Sequence, residues 1–306
     1  MLSSDIDILV CEVGLRDGLQ NAIGIMPTEI KKEWIAAQVK AGCREIEVCS
    51  FVPSKVIKGM TDATEIVAHA LKYKNLTVAA LAPNFQGGLN AIQAGAGKVS
   101  FPVSVSEAHS QSNVRKSRLQ MIEEVRKVCQ FRDQFVKDKS LIIEAGLSTA
   151  FGCSIQGRIS DRDTIEIAVA CLEAGVDELV LSDTIGIASP SQVKRLFKSV
   201  KIEVAEALSG VHLHNTYGLG LANAYAAIEA GATALDSSLG GLGGCPFAPG
   251  ASGNIITEDL VYMLESEGLR TGINLDALLE CREIVKRGLP DEQLFSYFAQ
   301  VYKLKM

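Results

Sequence analysis

Two histidines separated by one residue give the clearest chemical signal in this sequence. His212 and His214 stand in the segment VHLHN, and the chain has four histidines in all. Because side chains on a β-strand alternate between its faces, both imidazoles are expected on the same side. Two such rings at a strand end can bind one metal ion together, whereas a single core histidine is commonplace. A third, His109, follows another β-prone segment and either lines the same site or occupies a loop.

A glycine-rich run at positions 239–254, LGGLGGCPFAPGASGN, is the second signal. It holds six glycines, two prolines and Cys245. Glycine loses the most backbone freedom on ordering and proline lacks an amide donor, so the run predicts a loop. A strand candidate precedes it and an amphipathic segment follows, which is typical of a functional loop on a rigid scaffold. No apolar periodicity surrounds Cys245, so an accessible thiol that exchanges a proton is favoured over an inert core thiol.

Charged residues follow or end three other β-prone segments. Arg16 and Asp17 stand together in EVGLRDGLQN, Glu47 lies within EIEV, and Asp183 ends LVLSD. For the Arg–Asp pair, a surface ion pair at a turn is the simpler alternative. For Asp183, capping of the next turn competes with direct chemistry.

The elements that must position these residues form an α/β pattern. Four Ala-Gly pairs each precede a short β-prone run, as expected where a helix ends at glycine and a strand follows. The predicted strands are residues 7–13, 45–48, 77–81, 98–103, 141–147, 177–183, 210–214 and 232–239. Eight strands alternating with helices predict a (β/α)8 TIM barrel, in which working groups lie at the C-terminal strand ends. A doubly wound open sheet is the alternative, weakened because no dinucleotide-binding glycine motif follows the first strand.

Two domains are predicted from this pattern. Residues 1–274 would form the catalytic barrel. Residues 275–306 carry the helical patterns LDALLECREIVKRG and EQLFSYFAQVYK and would form a C-terminal helical extension packed on it.

Composition excludes several classes of protein. The 306 residues are 47% apolar, and the net charge of −6 comes from interspersed residues, so neither a nucleic acid nor a membrane surface is an expected partner. No stretch of about eighteen apolar residues occurs, and a cytoplasmic location is expected. The eight cysteines form no CxxC pair, which argues against a disulfide framework or a zinc ribbon.

Five motifs together resemble the 3-hydroxy-3-methylglutaryl-CoA lyase family, within the larger metal-dependent barrel group that includes isopropylmalate synthases. They are EVGLRDGLQN, SFVPSK, SDTIG, HLHNTYG, and GLGGCPFAPGASGN with TEDLVYML after it. The similarity spans nearly the whole chain. It implies cleavage of a 3-hydroxyacyl-CoA, foremost 3-hydroxy-3-methylglutaryl-CoA, to acetyl-CoA and a keto acid (acetoacetate) by a homodimer.

The same resemblance assigns roles to residues. It implies Mg²⁺ or Mn²⁺ held by Asp17, His212, His214 and Asn254. It implies catalytic roles for Arg16 and Cys245, with Glu47 and Asp183 as supporting acids. Substrate binding falls on Arg16, Gln20 and Ser50.

Three departures from the family pattern bear on the acyl group. Leu15 replaces a usual proline, Asn215 a frequent aspartate, and VIKGM at 56–60 a Trp-Val-Pro-Gln-Met stretch. The first two loops would surround the substrate's branch and distal carboxylate. A related substrate such as citramalyl-CoA therefore follows as an alternative, then a Claisen-type synthase, a class expected to carry a larger C-terminal extension than the two or three helices predicted after the barrel. A non-catalytic metal-binding barrel is the third alternative, although every expected ligand position is filled.

The groups match the needs of splitting a β-hydroxy thioester. A divalent cation would lower the pKa of the substrate hydroxyl, Arg16 would stabilise the thioester enolate oxygen, and Cys245 would protonate the departing carbanion. For the group that removes the hydroxyl proton, a water held by the cation, His212 and Asp17 remain equal candidates.

Overall fold

Eight parallel strands close into a barrel in a computed structural model that describes residues 5–53, 55–138, 140–243 and 253–303. Each strand pairs with the next along the chain, and the last pairs with the first. The strands are β1 Leu9–Glu12, β2 Glu45–Ser50, β3 Thr77–Leu81, β4 Lys98–Ser104, β5 Ile142–Ser148, β6 Glu178–Asp183, β7 Leu208–Leu213 and β8 Ala234–Ser237. The predicted TIM barrel is confirmed.

Helices follow the strands and surround the barrel. They are α1 Thr28–Ala41, α2 Ala63–Ala70, α3 Phe85–Ala94, α4 Glu107–Val114, α5 Arg118–Phe135, α6 Asp161–Glu173, α7 Pro190–Val204, α8 Gly220–Glu229, α9 Thr257–Ser266, α10 Leu275–Gly288 and α11 Tyr297–Lys303. The glycine of each Ala-Gly pair has a positive φ, as at Gly42 (104°) and Gly95 (96°). These four turns end helices as the sequence predicts.

The C-terminal helices pack on the outside of the barrel. α10 lies against α1, and α11 lies against α9. Arg282 of α10 anchors this region, because its guanidinium bonds the buried Glu258 of α9 and the carbonyl of Phe295. The domain boundary at 274/275 stays a prediction. Among the described residues, no helix is long and apolar enough to cross a membrane.

Side chains of β4 show which strand positions face the barrel interior. Phe101 points outward, so close to α3 that a Cβ at Gly88 would lie 2.9 Å from its ring. Lys98 points inward, where its Nζ meets carboxylates from other strands. Because side chains alternate along a strand, Ser104, six residues beyond Lys98, also faces the interior, at the C-terminal mouth.

The lower barrel interior is ionic, which the sequence analysis did not foresee. Lys98 Nζ lies 2.8 Å from Glu45 Oε1, 2.8 Å from Glu178 Oε2 and 3.4 Å from Glu144 Oε2. The Cys11 thiol donates to Glu45. Burial raises the pKa of Glu144 to about 8. Barrel interiors usually hold layers of Val, Ile and Leu, so this lower ionic layer is a distinct feature of the chain.

Candidate active site

Three side chains converge at the C-terminal mouth of the barrel. Asp17 follows β1, and His212 and His214 lie at the end of β7 on the same side, as strand periodicity predicts. The two histidine Nε2 atoms are 3.2 Å apart. Asp17 Oδ2 lies 3.9 Å from Nε2 of His212 and 4.0 Å from Nε2 of His214. The ligand atoms therefore lie close to one another, between the turn after β1 and the end of β7.

These spacings fit a hard divalent cation. With octahedral ligands at 2.0–2.1 Å, neighbouring ligand atoms lie about 2.9 Å apart and opposite ones about 4.1 Å apart. The two histidine nitrogens are close to the neighbouring spacing, and Asp17 lies somewhat beyond that spacing from each of them. These three residues could hold a metal ion.

Asn254 supplies an independent sign of a metal-binding site. Its Nδ2 donates to Asp17 Oδ2 at 2.7 Å. Its Oδ1 is buried and has no hydrogen-bond partner among the described residues. A buried acceptor without a partner is uncommon in folded proteins, and a cation beside the three other groups would satisfy it. The structure thus brings together all four residues predicted to bind the metal.

Asp236 on β8 orients the first histidine, and sequence reasoning missed it. Its Oδ2 lies 3.0 Å from His212 Nδ1. A carboxylate at Nδ1 holds the proton there and leaves the Nε2 lone pair for a metal. Burial opposes the charged imidazolium, but the hydrogen bond and charge of Asp236, together with the charge of Asp17, raise the pKa of His212. The detectable signal was an acidic residue within an apolar strand, LDS, next to the strand that carries the histidines.

Arg16 and Asp17 lie on a π-helical turn, Gly14–Gly18, directly after β1. Arg16 Nε donates to Glu47 Oε2 at 2.5 Å, and its NH1 donates to Asp17 Oδ1 at 2.5 Å. The Arg16 and Asp17 side chains are only 11% and 16% exposed, so the interpretation as a surface ion pair is wrong. Burial favours protonation of Asp17, but the charges of Arg16 and the histidines hold its pKa below the usual range.

Glu12, also missed from sequence, fixes the turn that carries Arg16. Its carboxylate accepts from the Gly14 amide (2.9 Å), the Leu239 amide (3.0 Å) and the Thr257 hydroxyl (2.8 Å). It therefore joins the turn after β1 to the segments on either side of the glycine-rich loop. Burial raises its pKa to about 7. A Cβ at Gly14 would lie 2.5 Å from this carboxylate, so the turn requires glycine there.

Asp183 caps a turn, whereas the predicted substrate-binding residues Ser50 and Gln20 are buried and exposed, respectively. Asp183 accepts from the amides of Ile187 (3.2 Å) and Ala188 (2.9 Å), so its carboxylate caps the turn before α7. Ser50 is fully buried at the end of β2, its Oγ has no partner among the described residues, and it lines a cavity of ≈ 400 Å³. Gln20 is exposed just beyond the π-helical turn.

The predictions for Cys245 and for His109 have different outcomes. Cys245 lies outside the described residues. The seven cysteines within them are all buried. His109 lies in the first turn of α4, so its assignment to a loop was wrong, and its ring pairs with Ser104.

Fold and site together define a class of protein: a (β/α)8-barrel enzyme whose C-terminal loops form a site able to hold a metal ion. The family model described as HMGL-like matches residues 7–285. The chain belongs to the HMGL-like family.

Relatives that cover most of the chain agree with this assignment. The human protein named 3-hydroxy-3-methylglutaryl-CoA lyase, cytoplasmic, is 39% identical over 280 residues, 91% of this chain and 74% of that protein. The crystal structure of Bacillus subtilis HMG-CoA lyase has a TM-score of 0.91 at 36% identity and covers 99% of this chain and 100% of that one. An Acinetobacter baumannii HMG-CoA lyase, solved with coenzyme A and 3-methylmalate, has a TM-score of 0.88 at 36% identity over 98% and 96% of the two chains. The predicted resemblance and the predicted class, a carbon–carbon lyase, are confirmed.

Proposed function

We propose that the protein cleaves 3-hydroxy-3-methylglutaryl-CoA to acetyl-CoA and acetoacetate with a divalent cation. The observation that carries the proposal is the convergence of Asp17, His212 and His214 beside Arg16 at the barrel mouth. Relatives named as lyases of this substrate at 36–39% identity support the choice of acyl group.

Mg²⁺ or Mn²⁺ suits the donor set. One carboxylate, one amide oxygen and two imidazoles leave coordination positions open, unlike a closed tetrahedral zinc site. When bound, such a cation supplies Lewis-acid stabilisation of negative charge on substrate oxygens. Asp17, His212, His214 and Asn254 would hold it.

Arg16 would stabilise the negative charge that develops on the thioester oxygen. Its guanidinium has five N–H donors, of which the contacts to Glu47 and Asp17 use two. These carboxylates fix the plane of the guanidinium, so the remaining donors are oriented before substrate arrives. Preorganised donors of this kind stabilise an enolate oxygen without reorganisation during the reaction. Glu47 thus acts as a positioning residue.

The remaining roles rest on the sequence motifs. We assign protonation of the acetyl-CoA carbanion to Cys245, support of the β6 turn to Asp183, and contacts with the acyl-CoA to Gln20 and Ser50. A cytoplasmic homodimer is also proposed, to be checked by cell fractionation and light scattering.

A panel of acyl-CoA substrates tests the proposal. Purified protein is stripped with a chelator, reloaded with Mg²⁺ or Mn²⁺, and incubated with 3-hydroxy-3-methylglutaryl-CoA, citramalyl-CoA and unbranched 3-hydroxyacyl-CoAs. Mass spectrometry identifies the products. Metal-dependent release of acetyl-CoA and acetoacetate from the first substrate, faster than from the others, is the expected result. A faster cleavage of citramalyl-CoA, or no cleavage of any thioester, would contradict it.

A further inference from the structure

A Ser–His pair lies on the wall of the barrel mouth opposite the metal-binding group. Ser104 ends β4, is 1% exposed and faces the interior, and its Oγ is 2.7 Å from Nδ1 of His109. In a closed barrel of eight strands in chain order, β4 stands across from β8. The metal-binding residues come from β1, β7 and the segment after β8, so the pair faces them across the substrate space.

Neighbouring contacts hold the pair in place. Ser106 caps α4 by accepting from the His109 amide at 3.1 Å, and its own hydroxyl donates to Gln156 at 2.9 Å. The Ser106 amide donates to Thr149 Oγ1 at 3.1 Å. These three hydrogen bonds fix the start of α4. His109 is therefore held more rigidly than a side chain on a free loop would be.

The hydrogen-bond partners of Ser104 indicate the tautomer of the His109 ring. Ser104 is buried, and within the described residues the histidine is its recorded side-chain partner. If the ring donated from Nδ1, the buried serine proton would lack an acceptor, which is costly. We therefore assign the proton of the ring to Nε2, with the serine hydroxyl donating to Nδ1. Burial lowers the pKa of His109, which favours this neutral form. The pair presents one fixed N–H donor.

We propose that Ser104 and His109 determine acyl-group specificity, with His109 Nε2–H donating to a carboxylate oxygen at the distal end of the acyl group. This inference rests on the proposed function. The loops after β1 and β2 were expected to surround this carboxylate. The reacting hydroxyl and thioester oxygens belong at the cation and Arg16 on that side of the mouth, so we assign the far end of the acyl chain to the β4 wall instead. There a carboxylate gains a charge-assisted hydrogen bond that an uncharged chain end does not.

A double variant, Ser104→Ala with His109→Phe, tests the inference without leaving an unpaired hydroxyl. The parent and the variant are assayed in kcat/KM with 3-hydroxy-3-methylglutaryl-CoA and with its methyl ester at the distal carboxyl. We expect the variant to lose about ten- to hundredfold on the acid, the usual worth of a hydrogen bond to a charged group, and less than about threefold on the ester. Gln111→Ala, on the same helix, is the matched control and should change neither value.

The outcomes separate this inference from the proposed function. Equal losses in kcat/KM on both substrates would show that the pair is merely structural. Unchanged kcat/KM on both would show that the pair does not contact the substrate. Either result overturns the inference. If the parent enzyme cleaves neither compound, the proposed function fails and the inference fails with it. Mn²⁺ affinity and the melting temperature of the double variant should stay near those of the parent.

Discussion

Replacement of Asp236 by asparagine should weaken metal binding without destabilising the fold. In the structure one carboxylate oxygen lies 3.0 Å from His212 Nδ1, and the Asp236 side chain is 20% exposed. Burial is the main cause that raises the pKa of Glu47 and of Glu144. The negative charge of Asp236 raises both pKa values further. The aspartate therefore orients a ligand while it repels other buried charges.

The two effects predict opposite changes. Loss of a carboxylate behind a metal-binding histidine typically costs ten- to a hundredfold in affinity, or about 1.4 to 2.7 kcal/mol. Removal of the charge relieves repulsion in the barrel interior, so the melting temperature of metal-free Asp236→Asn should equal or exceed that of the parent. Calorimetric titration with Mn²⁺ measures the first quantity, and thermal denaturation in chelator measures the second.

Two results would refute this reasoning. Unchanged Mn²⁺ affinity would mean that Asp236 does not orient His212. A melting temperature lowered by many degrees in the metal-free state would mean that Asp236 is required for the fold. Asp276→Asn, on the exposed start of α10, is the control for loss of one negative charge.

Four further predictions follow from the same structure. Arg16→Lys should lower turnover by about a hundred- to a thousandfold with little change in Mn²⁺ affinity, because an ammonium cannot make the fixed multidentate contact; turnover within a fewfold of the parent would contradict this. Cys245 should react with alkylating agents faster than the seven buried cysteines, and Cys245→Ser should lower turnover by about a hundredfold, both checked by peptide mapping and kinetics. Lys98→Met should destabilise the protein by about 3–5 kcal/mol in urea denaturation, because it leaves buried glutamates unpaired. Glu12 and Glu144, with pKa values raised to about 7 and about 8, bind protons in the folded state that the unfolded chain has released, so stability should fall as the pH rises from 5 to 8, and Glu144→Gln should flatten that slope.

Local sequence patterns predicted most of the fold. The third strand was placed to the residue. Ala-Gly pairs and short apolar runs are signals carried by neighbouring residues, so no knowledge of the tertiary fold was needed. β1 came out shorter than predicted because Val13 already accepts the hydrogen bonds of the π-helical turn.

Only part of the candidate site could be predicted from the sequence. The His212–His214 spacing needs just the period of a strand, and the resemblance supplied Asp17 and Asn254. Glu12 could not be found in this way, because its partners lie after β8, which meets β1 only when the barrel closes. Asp236 could not be found by period alone, because it meets His212 only through the pairing of β7 with β8. The lower ionic layer has the same origin, since Lys98 joins carboxylates from three other strands.

The proposed cleavage requires one divalent cation, bound by Asp17 and the two histidines at the end of β7. Mn²⁺ binding and turnover measured side by side in chelator-stripped parent, His214→Ala and His69→Ala test it most directly, since His69 lies on α2 against Tyr73, away from the site. We predict one Mn²⁺ per parent chain, affinity and turnover both reduced by more than about a hundredfold in His214→Ala, and parental values in His69→Ala. Full turnover in the stripped parent, or parental Mn²⁺ affinity in His214→Ala, would contradict the claim.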